Sequence, residues 1–164
     1  MLKNPHNYVG QDIIKVDAEA KTTGEAIYPN DIYFDDMLYA RVKRATHPHA
    51  YLKKLDISKA EALPEVVKVI TASDYPDLNN FGLIIKDQPV LVGIGEKMRY
   101  MGDALAIVVA ETREAARKGV SLIEAEVEEL EVISDPLRAM EEDALSIHKG
   151  ENILDNNELN RNIV

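Results

Sequence analysis

YMGDALAIVVAET, residues 100–112, decides how this chain folds. Gly102 marks a turn, residues 104–110 form an unbroken aliphatic run, and Thr112 stands where a helix cap belongs. A charge-free run of this length between a glycine turn and a cap predicts a buried strand. The strand itself carries no reactive group, so it reads as a packing unit.

Working outward, Thr112 is expected to cap the best helix of the chain, over residues 113–123. Ala115, Ala116, Val120 and Ile123 fall on one stripe, and Gly119 allows close approach there. Residues 124–133, EAEVEELEVI, alternate Ala125 and Val127 with glutamates, and the phase then slips at Glu128-Glu129. An inserted residue of that kind predicts a β-bulge or a bend. A short helix is expected over 137–140, beyond Asp135-Pro136, and the polar tail from Gly150 reads as a linker.

Upstream, MLYARVKR at 37–44 sets Leu38, Ala40 and Val42 against Tyr39, Arg41 and Lys43, a strand with one wet face. A turn at 46–49 leads to extended chain over 50–57. Ser58 and Glu61 fit a capping box, and Pro64 ends that short helix because it lacks an amide hydrogen. Residues 65–71, EVVKVIT, form a further strand. Ser73 to Pro76 opens a loop that runs to Gly95, interrupted by apolar runs at 83–85 and 89–92. Residues 1–36 are expected to be extended with short strands, broken at Gly10, Gly24 and Pro29. No repeat or low-complexity tract occurs. Short strands alternating with short helices predict a small α/β domain of mixed α+β character.

Composition narrows the function. The formal net charge of -10 opposes nucleic acid and anionic lipid, both of which need clustered Lys and Arg. With Cys 0, disulfides, thiolate metal sites and cysteine nucleophiles are excluded from this sequence. The N-terminal residues have no apolar run resembling a signal peptide, and no window reaches a membrane-spanning length, so a soluble cytoplasmic setting is expected.

The candidate chemistry is sparse. His47 and His49 flank Pro48 and form the one paired histidine site, which as a metal centre needs a third ligand such as Asp56 or His148. A structural turn is the simpler reading. Glu124, Glu126, Glu128, Glu129 and Glu131 offer carboxylates, yet an alternating strand sends the first three to one wet face. Gly93-Ile94-Gly95 lacks the third glycine and following helix of a dinucleotide fingerprint. Thr46 has no partner at triad-like spacing. No catalytic, cofactor-binding or metal residue is assigned.

Several segments taken in order carry a resemblance. They are Val9-Gly10, DAEAKTTGEAIY at 17–28 with Asp31, MLYA at 37–40, His49-Ala50, LDI at 55–57, ALPEV at 62–66, DQPVL at 87–91, residues 99–112, and EEL at 128–130. Together they resemble the α/β hammerhead domain at the start of the molybdenum-binding subunit of xanthine dehydrogenases and aldehyde oxidases. This sequence departs from the family pattern at Thr46–Ala50, Val127 and Glu131, where Ser-Pro-His-Ala, a tyrosine and a proline are often found. The resemblance implies a hammerhead over 9–148, with 1–8 an N-terminal extension and 149–164 a linker towards molybdopterin-binding domains. It implies that molybdopterin–molybdenum, iron–sulfur clusters and FAD are held by other domains or subunits, its partners. The domain itself is then structural and inactive alone, within an enzyme that hydroxylates a purine, another N-heterocycle or an aldehyde. Two alternatives are a stand-alone α/β module binding a small molecule or protein, and a metal enzyme built on His47 and His49.

Overall fold

A computed structural model describes residues 10–82 and 86–148. The expected N-terminal extension, the apolar run at 83–85 and the linker 149–164 lie outside the described residues, as does Val9. The chain divides into two units, Met1–Met37 and Leu38–Val164.

The first unit departs from expectation. In place of short strands it holds helix α1, Ala18–Thr23, and a 3-10 turn at Pro29–Asp31. Ala, Glu and Lys are strong helix formers, and Asp17 pairs with Lys21 one turn on. Gly24 closes the helix in the left-handed region, with φ 81. The Asp31 carboxylate accepts the Tyr28 amide at 2.9 Å and fixes the second turn.

The second unit holds β1 (Tyr39–Arg44), β2 (Ala50–Asp56), α2 (Ser58–Glu61), β3 (Val66–Thr71), β4 (Asn80–Phe81) and β5 (Gln88–Pro89). There follow β6 (Lys97–Met98), β7 (Ala104–Ala110), α3 (Arg113–Leu122), β8 (Glu124–Glu129) and α4 (Pro136–Ala139). Two three-stranded sheets run β1-β7-β3 and β6-β2-β8, and β4 pairs with β5. Every pairing among the described residues is antiparallel. Strands and helices are mixed as the sequence implied.

β7 is the predicted buried strand, and it lies between β1 and β3. Its Ala106 and Val108 pack with Val69, Ala60 and Ile123, while Ala110 meets Ala115 and Ala116 of α3. Leu105 joins Leu52, Val92 and Met98, so β7 contributes to three core clusters. The register of β1 against β7 slips at this point, where Lys43 faces Ala106 and Arg44 faces Ala104. Leu105 is the extra residue, and such a bulge re-aims a side chain.

α3 begins as expected, with the Thr112 hydroxyl accepting the Ala115 amide at 3.1 Å. Gly119 is buried against β7, and a Cβ there would lie 2.8 Å from Val108 Cγ1. The stripe is therefore small because the helix sits close to the sheet.

Three local expectations need correction. Ser58 is the first helical residue of α2, not its cap; Asp56 accepts the Ser58 amide at 3.0 Å and its hydroxyl at 2.6 Å. The bulge near the glutamate run lies at Lys53 of β2, between Leu52 paired with Val127 and Lys54 paired with Glu126. The slip at Glu128-Glu129 is simply where β8 ends. Leu38, just before β1, and Ala40 on it are exposed while Lys43 is half-buried. Its ammonium donates to the Ile123 carbonyl at 2.7 Å, so the aliphatic stem lies inward on an edge strand.

Candidate functional site

His47 and His49 lie in the turn joining β1 to β2. His49 is only 2% exposed and its Nδ1–H donates to the Glu131 carbonyl at 2.6 Å. That bond fixes the tautomer and leaves Nε2 buried without a partner in the protein. His47 is half-exposed, with Nε2 3.5 Å from Glu129 Oε1 and Nδ1 3.3 Å from the Thr46 hydroxyl. The suggested third ligands are engaged elsewhere. Asp56 holds Ser58, whose hydroxyl and amide keep its carboxyl below the ordinary value of 3.8. His148 donates from Nδ1 to Asp87 Oδ2 at 2.6 Å. The fold thus gives these residues separate partners, and among the described residues no group of three or more His, Asp or Glu converges to hold a metal.

The glutamates of β8 form a ladder with lysines across the strand pair. Glu128 meets Lys53 at 2.6 Å, Glu126 meets Lys54 at 2.9 Å, and Glu124 pairs with Lys59. Hydrogen bonding to Glu126 and to Glu124 raises Lys54 and Lys59 above their ordinary pKa. Acid/base chemistry needs two carboxyls in unlike, sheltered environments, whereas these share one exposed, paired environment.

Gly93-Ile94-Gly95 is a turn tied to β2. The Gly93 amide donates to Glu96 Oε2 at 2.8 Å, and the Gly95 amide to the Leu52 carbonyl at 2.7 Å. A carboxylate already occupies the place a phosphate would need, so the segment is no phosphate cradle.

Two buried polar anchors escaped the sequence reading. Asn79, 8% exposed, donates to the Leu91 carbonyl at 2.7 Å and accepts its amide at 2.9 Å, imitating a strand partner. Asp103, 5% exposed, accepts the Arg99 amide at 2.7 Å, and its charge raises the Tyr100 phenol above its ordinary pKa. Their only sequence signal is a turn-forming residue beside an apolar run, which many exposed positions share.

A cavity of about 120 Å³ lies beside Lys43, Arg44, His47, Met98, Leu105 and Val127. Cofactor pockets span roughly 300–1,000 Å³. This cavity is smaller than a molybdopterin needs. No described helix is long and apolar enough to cross a membrane.

Residues 23–131 match the family described as aldehyde oxidase and xanthine dehydrogenase, a/b hammerhead domain. A probable xanthine dehydrogenase component from Bacillus subtilis is 43% identical over 141 residues, which make up 86% of this chain and 19% of that protein. The nicotinate dehydrogenase large molybdopterin subunit of Eubacterium barkeri is 43% identical over 148 residues, 90% of this chain and 34% of that one. Among solved structures, the aldehyde oxidoreductase of Desulfovibrio desulfuricans superposes with a TM-score of 0.75 at 31% identity. That superposition covers 87% of this chain and 17% of the oxidoreductase. The chain therefore spans between a sixth and a third of the length of these three proteins.

Proposed function

The chain belongs to the aldehyde oxidase and xanthine dehydrogenase α/β hammerhead family, and from that premise we propose that it is the structural first domain of a molybdenum hydroxylase. In this reading residues 9–148 are the hammerhead and 149–164 a linker to molybdopterin-binding domains. Those domains hold the molybdopterin. Iron–sulfur and flavin partners carry electrons away in a soluble, cytoplasmic assembly. The whole enzyme hydroxylates an N-heterocycle or an aldehyde, and this chain contributes packing surface instead of a reacting group.

Coverage is the observation that carries the reading: 86% of this chain aligns with only 19% of the Bacillus relative. The candidate donors support it as well, since Asp56, Glu126 and His148 each already hold a partner within the domain.

A denaturing immunoblot of source-cell extract, using an antibody against this chain, tests the proposal. The expected band lies far above 18.3 kDa, or at 18.3 kDa in a complex that co-purifies with a molybdenum-containing polypeptide. A band at 18.3 kDa that purifies alone and without molybdenum overturns it.

A further inference from the structure

Residues 146–148 are gripped by three side chains from one neighbouring stretch. Lys97 Nζ donates to the Ser146 carbonyl at 3.0 Å, and Arg99 Nε to the Ile147 carbonyl at 3.3 Å. His148 Nδ1 meets Asp87 Oδ2 at 2.6 Å. The gripping side is firm: Lys97 belongs to β6, which pairs with β2, and the Arg99 amide is tied to buried Asp103. Asp87 is itself largely sheltered, its side chain 13% exposed against 42% for His148.

The gripped side is built differently. Residues 141–148 contain no helix or strand, and none of them belongs to the buried apolar core. Core strands are held by apolar burial, which opens only when the domain unfolds. Partly exposed polar contacts are each modest, so a segment held mainly by them detaches at lower cost.

We propose that Asp87, Lys97 and Arg99 form a latch that docks residues 146–148 on the β5–β6 stretch and releases them independently of the core. The segment ending at His148 then has a docked and an undocked state, and the docked state fixes where the chain leaves the domain. The latch uses residues of this chain alone and stands whichever enzyme the chain serves.

Amide hydrogen exchange on the 164-residue chain tests it. In the parent, amides of 144–148 should be protected, though less than those of β7. Asp87→Ala and His148→Ala should each speed exchange at 144–148 roughly fivefold, with β7 unchanged. The double variant should match either single one, because both remove the same contact. Unprotected 144–148 amides in the parent overturn the latch. So does equal acceleration in β7, or additive effects in the double variant.

Discussion

Asp56 and Asp74 each turn a carboxylate into local backbone order. Asp74 accepts the Thr71 amide at 2.8 Å and the Lys68 ammonium at 3.0 Å, closing the 3-10 turn after β3. Asp56 does the same for the start of α2. Both carboxyls are held below 3.8, Asp74 chiefly by the Thr71 amide and Asp56 chiefly by the Ser58 hydroxyl. A lowered folded-state pKa means the unfolded chain takes up the proton first. The stability these groups add is therefore complete well above pH 3.8 and drains as pH falls through the folded value. A chain carrying Asp56→Asn and Asp74→Asn should lose less stability between pH 6 and pH 2.5 than its parent, as read by urea unfolding across about that range. Parallel pH profiles would show that neither carboxylate is linked to folding.

At the scale of elements, the contact between α3 and β7 sets the tightest tolerance. Alanine at position 119 would gain about 1 kcal/mol of helix propensity. Its Cβ, however, would sit 2.8 Å from Val108 Cγ1, a stiff β-branched side chain on the central strand. Overpacking of this kind costs about 1–3 kcal/mol and wins. Gly119→Ala should destabilise the domain by about 1 kcal/mol net, and in a Val108→Ala background the same change should stabilise it. Thermal unfolding of the four chains gives the cycle, and a shift of the same sign in both backgrounds refutes the clash. Both elements were legible because their signals are local: an aliphatic run, a threonine cap, a small-residue stripe. β4, β5 and β6 were not, since two residues carry no period and exist only through their partners. The bulge was misplaced for a related reason. Lys53 looks ordinary in its own strand, and the slip belongs to its pairing with β8. The pairing of His148 with Asp87 was illegible for the same reason, because nothing local marks Asp87 as its partner.

At the scale of the whole molecule, the first unit leaves several large apolar side chains exposed. Ile14 is 84% exposed, Ile27 78% and Phe34 74%. Scattered exposed aliphatics are ordinary, whereas a contiguous patch of them is a contact surface, and a hydrophobic dye distinguishes the two. The purified chain should bind a hydrophobic dye, and Ile14→Ser with Ile27→Ser and Phe34→Ser should remove most of that signal without lowering the melting temperature. Absence of dye fluorescence in the parent would count against such a surface. The position of β7 in the chain has a separate consequence, for synthesis. β1 ends at Arg44 and β3 at Thr71, yet both pair with a strand that closes at Ala110. On a ribosome adding about 5–20 residues per second, β1 waits several seconds for its partner. During that interval its unpaired edge is open to other nascent chains, which makes elongation rate a determinant of how much of this domain reaches its native form.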